Sequence, residues 1–242
     1  MARRTPLDRL DRLVDVATDV LIDRGYRRTQ MADVAAAMGV AKGTLYLAVT
    51  GKEALFDLVI RFADGPRPIP PLPLPVPTPP PGATLELVRQ EIIRQQAPPA
   101  LTAALSRSRP GDARDEVSAI AGELFDTLSA NRRRVKLADR AAVDWPEMAA
   151  LWLDGARGGL VGLLGSYLED RIRRRRLRRV PDVPAAARQF LETCVIWAVH
   201  RHWDQHLRSV DDAVARATAV HFLVHALVAE EARGRTREGV TR

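Results

Sequence analysis

The chain has 242 residues, of which 46% are hydrophobic and 28% are charged. This length and composition are ordinary for a globular protein with a substantial core, so they exclude a wholly disordered chain. No apolar run approaches the roughly 18 residues of a membrane span, and the first residues lack the apolar core of a secretory signal. The one cysteine, Cys194, cannot form an intramolecular disulfide. We therefore expect a cytoplasmic protein that does not enter a membrane.

The net charge of +7 comes largely from one run, because seven arginines lie between Arg171 and Arg179. Bulk charge alone therefore does not indicate nucleic-acid binding. We interpret the run as a solvated helix end, where cations interact favourably with the helix dipole. A direct contact with DNA is the alternative.

Helical periodicity begins close to the amino terminus. Apolar residues recur there at spacings of three and four, namely Leu7, Leu10, Leu13, Val14, Ala17, Val20 and Leu21. Gly25 follows the last of them, at the position where a glycine commonly ends a helix. Shorter helices are predicted at Met31–Met38, 42–47 and 52–63, and these elements define a first domain over residues 1–62.

A proline-rich segment follows, in which ten of the sixteen residues from Pro66 to Pro81 are proline. This density predicts extended polyproline II conformation rather than helix or central strand. We interpret residues 63–83 as a proline-rich linker or surface excursion. A docking site for a proline-recognising partner is the alternative.

The remainder of the chain is predicted to be helical. Residues 84–234 should form a larger second domain, and residues 235–242 a disordered tail. Helices are expected at 85–96, at 115–130, from 146 to about 175, from 184 to about 207 and from 210 to about 232. Because no stretch shows sustained alternation of polar and apolar residues between turns, the predicted fold class is all-α.

Residues 31–47 have the pattern of a helix-turn-helix. Such a unit needs a small residue where its two helices cross and a residue that tolerates positive φ in the turn, and Ala35 and Gly39 supply them. Leu45 closes the apolar centre of the unit from the second helix. The spacing of these three residues favours a helix-turn-helix, and an ordinary helical hairpin is the alternative.

The segment from Gly25 to Phe56, GYRRTQMADVAAAMGVAKGTLYLAVTGKEALF, resembles the DNA-binding region of the tetracycline-repressor (TetR) family. The matching residues are, in chain order, Gly25-Tyr26, Thr29, Asp33-Val34-Ala35, Met38-Gly39-Val40, Lys42-Gly43-Thr44-Leu45-Tyr46 and Lys52-Glu53-Ala54-Leu55. The resemblance implies a ligand-responsive transcriptional regulator, usually a repressor, that forms a homodimer and has a three-helix, DNA-binding first domain. It also implies that the larger helical domain binds a small-molecule effector and dimerises through its last two helices, about 184–207 and 210–232.

The chemistry of DNA recognition can be assigned to seven residues. A recognition helix offers its first residues to base edges in the major groove, and nearby donors contact phosphates. We expect operator DNA to be contacted by Thr29, Gln30, Lys42, Gly43, Thr44, Tyr46 and Lys52. Thr29 and Gln30 stand at a helix amino terminus, which can hold an anion.

Two departures from the family pattern affect this assignment. Leu47, Ala48 and Val49 stand where the family usually has further aromatic or histidine residues and a closing phenylalanine. Gln30 replaces a small hydroxyl residue. These changes bear on affinity and operator sequence rather than on the fold.

The second domain contains five glycines in one predicted helix, at positions 155, 158, 159, 162 and 165. Each costs about 1 kcal/mol against alanine in a helix interior, so their presence needs a cause. Close helix crossing is the first interpretation, and space for a ligand or a kinked helix are the alternatives. Large apolar rings could line an effector pocket or belong to the ordinary core, namely Phe125, Trp145, Trp152 and Tyr167.

No motif indicates catalysis, a cofactor or a metal site. The sequence contains no nucleophile elbow, phosphate loop or zinc motif, and the histidine pairs His202–His206 and His221–His225 have no third ligand in a recognised pattern. We therefore expect a regulator rather than an enzyme. The alternative function is a helical interaction module with a degenerate DNA-binding unit and a proline-rich docking segment.

Overall fold

The computed structural model of the chain describes residues 6–95 and 97–229, and the predicted tail at 235–242 lies outside these residues. The described part is built from helices and contains no strand, so the all-α prediction is confirmed. None of the described helices is both long enough and apolar enough to span a membrane. The elements are α1 (Pro6–Arg24), α2 (Met31–Met38), α3 (Lys42–Tyr46), α4 (Lys52–Phe62), α5 (Ala83–Arg94), α6 (Pro99–Ser106), α7 (Ala113–Ala130), α8 (Arg132–Asp144), α9 (Pro146–Ala149), a π-helical segment (Ala150–Arg157), α10 (Gly158–Arg173), α11 (Val183–Ala198), a 3₁₀ turn (His200–Trp203) and α12 (Asp212–Leu227).

Helices α1 to α4 share one apolar core. The apolar face of α1 packs in it, with Leu13 and Val14 at most 1% exposed. Gly39 ends α2 with φ of 67°, which explains the glycine in the turn, since other residues rarely adopt this conformation. The short helix α3 is thereby directed across α2 and contributes Leu45 to the core.

Helix α8 of the second domain lies against α1 and adds Leu137 and Ala141 to the same apolar core, and polar contacts fix its start. Asp64, just beyond α4, accepts the backbone N–H groups of Arg133 and Arg134 at 3.3 and 2.7 Å, which satisfies the free amides at the start of α8. Arg133 in turn donates to the Asp15 carbonyl at 2.7 Å and to the Asp19 carboxylate at 3.0 Å. The orientation of α8 is therefore coupled to both α1 and the end of α4.

The proline-rich segment is extended and packs against the first domain. Ile69 is 1% exposed within the core that α1 to α4 share, and its N–H donates to Asp11. Farther along, the Val76 N–H donates to the Ala48 carbonyl at 2.8 Å, and the Val76 carbonyl accepts from Thr50 at 3.0 Å. The predicted surface excursion therefore lies along the residues that follow α3.

A second core lies between α7, α10, α11 and α12. It surrounds a buried charge pair in which the Arg171 Nε donates to Glu116 at 2.7 Å, with the Tyr167 hydroxyl beside it. Arg171 is only 2% exposed, so the interpretation of the whole arginine run as a solvated helix end is wrong for this residue. Its carboxylate partner on α7 explains why a cation is tolerated there.

The last two helices end earlier than predicted. α11 ends at Ala198 instead of about 207, because the chain tightens into the 3₁₀ turn and the Asp204 carboxylate then accepts backbone N–H groups of His206 and Leu207. α12 ends at Leu227 instead of about 232, because Val228 becomes extended and pairs with Leu177.

Candidate nucleic-acid interface and effector cavity

Helix α3 presents a polar face to solvent. Lys42, Gly43, Thr44 and Tyr46 are exposed, whereas Leu45 between them is 2% exposed. The Lys42 ammonium lies 6.0 Å from the centre of the Tyr46 ring, so a cation and an aromatic hydroxyl stand side by side. These groups can donate to phosphates or to base edges.

The start of α2 differs from the expected anion site. Thr29 is 2% exposed and its hydroxyl donates to the Gly25 carbonyl at 2.8 Å, so the structure does not offer this hydroxyl to a phosphate. Gln30 is exposed, and its backbone N–H donates to Asp33 at 2.8 Å. Arg24 pairs with the same carboxylate at 2.6 Å. The side chain of Gln30 is the group that remains at the surface.

Lys52 stands at the junction of the two domains. Its ammonium lies 4.5 Å from the centre of the Tyr26 ring and donates to the Arg27 carbonyl at 3.1 Å. Burial lowers the pKa of Lys52, and the carboxylates of Glu53 and Asp144 partly offset this effect. The side chain is half-buried, so its orientation depends on the ring beneath it.

That ring belongs to an aromatic cluster of Tyr26, Phe56 and Trp145. The centroids of Tyr26 and Phe56 are 4.8 Å apart, and Trp145 lies 5.9 Å from each of them. Trp145 connects α8 to α9, so the cluster joins the second domain to the DNA-binding unit. The structure places Trp145 here rather than with Trp152.

Two adjoining cavities open between α4 and α11. The larger one, of about 270 Å³, lies between α7, the π-helical segment, α10 and α11, and the smaller one, of about 210 Å³, lies between α4, α5 and α8. Ile92, Gln95, Val135 and Trp152 line both of them. The Trp152 indole N–H donates to Asp139 at 2.7 Å, which holds the ring at the boundary between the cavities.

Of the other predicted pocket residues, Phe125 and Tyr167 lie elsewhere. Phe125 is 2% exposed in a cluster with Val135 and Ala198, and Tyr167 is fully buried beside Glu116. The structure therefore does not bring the four rings together. The leucines and valines that do line the larger cavity have the spacing of ordinary core residues, so nothing in the sequence distinguished them.

Besides Trp152, the glycines are the sequence signal that coincides with the cavity. Gly155 and Gly159 line it, and a Cβ built on Gly159 meets no other atom within 4 Å. Within the described chain, close crossing applies at most to Gly165, whose Cβ would lie 3.9 Å from that of Ala187. The glycine region also includes a π-helical turn, a feature that often occurs at functional sites.

Helix α12 has an outward face that is free of lysine and glutamate and largely apolar. Val214 is 57% exposed and Phe222 is 65% exposed, with Ala217 and His221 between them. Exposed apolar residues at helical spacing indicate an interaction surface.

Comparisons with known proteins agree with this architecture. The family model of bacterial regulatory proteins of the tetR family matches residues 13–59. A comparison with curated proteins finds no match. Among solved structures, a tetR-family regulatory protein from Rhodococcus RHA1 aligns with a TM-score of 0.55 and 16% identity, covering 94% of this chain and 100% of that one.

Two further structures show the same fold. The probable transcriptional regulatory protein RHA5900 has a TM-score of 0.56 and 16% identity over 91% of this chain and 100% of its own. The ketosteroid transcriptional regulator KstR2 of Mycobacterium tuberculosis has a TM-score of 0.52 and 14% identity over 92% of this chain and 96% of its own. Residues 13–59 therefore match the DNA-binding region of the tetR family of bacterial regulatory proteins, and the whole chain shares the fold of these solved structures.

Proposed function

We propose that this protein is a dimeric transcriptional repressor that acts in the cytoplasm. Its affinity for operator DNA would change when a small molecule binds in the cavities. The observation that carries the proposal is the exposed polar face of α3 on a buried apolar base. A five-residue helix whose polar side chains all point away from the core is suited to enter a major groove. The role is one of binding rather than catalysis.

The contacts follow from this placement. Lys42, Gly43 and Thr44 would approach base edges, since they lie at the amino-terminal end of α3 and carry short or flexible groups. Tyr46 would contact a phosphate or a thymine methyl. Gln30 and Lys52, at the starts of α2 and α4, would contact the phosphates on either side.

Dimerisation is supported by the outward face of α12. An exposed phenylalanine and valine on one helix face are costly in water, and a second copy would cover them. With α11 beside it, the face would form a four-helix interface. Two recognition helices about 34 Å apart could then enter successive major grooves on one side of the duplex.

Response to an effector is supported by the walls of the smaller cavity. They include Ile60 and Arg61 of α4 as well as residues of α5 and α8. A ligand there would touch the DNA-binding unit and the second domain at once. Its binding energy could therefore bias the orientation of α4.

The test is titration of the protein into labelled DNA from upstream of its own gene, followed by fluorescence anisotropy at several salt concentrations. We expect saturable binding to a near-palindromic site, with affinity that falls as salt rises. Lys42→Gln should weaken binding by about tenfold, because it removes a charged donor. Lys136→Gln, which makes the same change on α8, is the matched control and should bind like the wild type.

Specific binding that Lys42→Gln leaves unchanged would contradict the assignment of α3. Absence of any specific binding would instead favour the helical interaction module. In that case, a proline-recognising partner would have to bind the outward side of the proline-rich segment, since Ile69 on its inner side is already buried.

A further inference from the structure

We propose that the effector is an elongated anionic amphiphile, with an apolar body in the larger cavity and an acidic group at the arginine-lined mouth of the smaller one. This inference rests on the proposed function only in that it calls the bound molecule an effector. The binding site itself is argued from the cavities alone.

The larger cavity suits an uncharged, apolar body. Its walls include Leu124, Leu128, Leu160, Leu163, Leu191 and Val195. Among the described residues that line it, Arg157 alone is charged, and its terminal nitrogens pair with Asp139 at 2.9 Å and Glu192 at 2.8 Å. Its Nε is buried with no hydrogen-bond partner among the described residues. The charge of Arg157 is therefore matched, and apolar burial supplies most of the affinity for a ligand.

The glycines shape this space. Gly159 presents no side chain to the cavity, and a Cβ at this position would meet only empty space. The π-helical segment supplies Trp152, Gly155 and Ala156 to the same wall. The glycines lower the helix propensity of this segment, and they do so on the face that borders the cavity.

The shared lining makes the site elongated. Because Ile92, Gln95, Val135 and Trp152 line both cavities, the two lie side by side, and a chain-like molecule that occupied both would extend past these side chains. Its apolar end would lie near α11, and its other end would reach α4.

The mouth at that end is lined by three arginines and one carboxylate, namely Arg61, Arg94, Arg134 and Glu91. Glu91 pairs with Arg94 at 3.0 Å and with Arg134 at 3.3 Å. Arg134 also lies 3.8 Å from Asp64, and Arg61 pairs with Asp57 at 2.7 Å, but neither of these two carboxylates lines the cavity. An anion at the mouth would therefore face three guanidinium groups and one carboxylate, and Arg94, the most exposed of the three arginines, is free to turn toward it.

The test uses three probes that differ only in head group: decanoate, 1-decanol and decylamine, below the concentrations at which they aggregate. Binding to the full chain without DNA is measured by isothermal titration calorimetry at low salt. Decanoate should bind about tenfold more tightly than 1-decanol, and decylamine should bind most weakly. Equal affinity for the three, or tighter binding of decylamine, would overturn the anionic head group.

Two pairs of variants locate the site. Arg94→Gln should reduce decanoate affinity about fivefold, whereas Arg89→Gln, on the same helix but outside the cavity, should leave it unchanged. Gly159→Leu should abolish binding of decanoate and 1-decanol alike by filling the cavity, whereas Gly162→Leu, an exposed position outside it, should not. Undiminished binding in Gly159→Leu would place the ligand elsewhere and overturn the inference.

Failure here and failure of the proposed function are distinguishable. If the protein binds its operator but does not bind decanoate more tightly than 1-decanol and decylamine, only the ligand class is contradicted. A protein that binds decanoate with the expected variant pattern but ignores every duplex contradicts only the regulatory role.

Discussion

Trp145 stacks on Tyr26, with ring centroids 5.9 Å apart and planes inclined by 26°. One ring belongs to the residue that connects α8 to α9, and the other follows α1, so the pair crosses from the second domain to the DNA-binding unit. Lys52 lies over the Tyr26 ring of this pair, with its ammonium 4.5 Å from the ring centre. A proposed phosphate contact is thus one aromatic pair away from the second domain.

Trp145→Ala should destabilise the protein by about 2–3 kcal/mol, because it removes a half-buried ring from a three-membered aromatic cluster. The free energy of unfolding is measured by urea denaturation. Trp203→Ala is the control, since that ring is 37% exposed and should cost less than about 1 kcal/mol. If both variants lose the same free energy of unfolding, the aromatic cluster does not stabilise the protein more than an exposed tryptophan does.

The buried pair of Glu116 and Arg171 should make stability depend on acidity. Burial raises the pKa of Glu116, but hydrogen bonds from Arg171, from the Gly111 amide and from Tyr167 outweigh it, so the net pKa is lowered. A carboxyl with a lowered pKa stabilises the fold fully at neutral pH, and this stabilisation is lost from about pH 5 downward as it becomes protonated.

Glu116→Gln should therefore cost about 3 kcal/mol at pH 7, because it removes the buried carboxylate and leaves the Arg171 guanidinium with Asp170, which Arg173 and Arg174 share. The same variant should lose less further stability than the wild type when the pH is lowered to 3. Glu169→Gln, which makes the same change at an exposed position of α10, controls for the change in net charge. Parallel pH profiles for Glu116→Gln and the wild type would contradict the assignment.

If the protein is the proposed dimer, Phe222→Glu should make it monomeric, because it places a charge on the exposed apolar face of α12. Sedimentation velocity at micromolar concentration measures the result. Leu47→Glu introduces the same charge at a side chain that is 71% exposed at the other end of the molecule, and it should remain dimeric. If Phe222→Glu sediments like the wild type, the interface lies on another surface.

Ile69→Ala should destabilise the DNA-binding unit by about 2–4 kcal/mol, since Ile69 is 1% exposed in its core. Leu74→Ala in the same segment is the control, because Leu74 is 47% exposed and should change the free energy of unfolding by less than about 0.5 kcal/mol. Both values come from urea denaturation. A neutral Ile69→Ala would show that the proline-rich segment is only loosely attached.

The helices of the DNA-binding unit could be predicted closely because their signals are local. Met31–Met38 has the predicted bounds, since its apolar spacing is regular and Gly39 ends it in the left-handed conformation. The ends of α11 and α12 could not be predicted in the same way. They depend on Asp204 binding two backbone amides and on Val228 pairing with Leu177, which is fifty-one positions away in the chain.

The site was predictable only in part for the same reason. Exposure of Lys42 and Tyr46 follows from the helix-turn-helix pattern, but the inward turn of the Thr29 hydroxyl toward Gly25 requires the three-dimensional loop. Among the four rings, the sequence could not distinguish Trp152 at the cavity from Trp145 at the domain junction. Both are tryptophans in amphipathic surroundings, and only packing separates them.

The backbone of the proline-rich segment pairs with the backbone of the DNA-binding unit at Val76, which both donates and accepts. From Pro73 to Pro79 every second residue is proline, and proline has no N–H. Deleting one residue ahead of Val76 would bring a proline opposite Ala48 and remove the donor, whereas deleting two would restore one. Length changes between Pro73 and Val76 should therefore be tolerated when they remove an even number of residues, because only then does a residue with an N–H stand opposite Ala48.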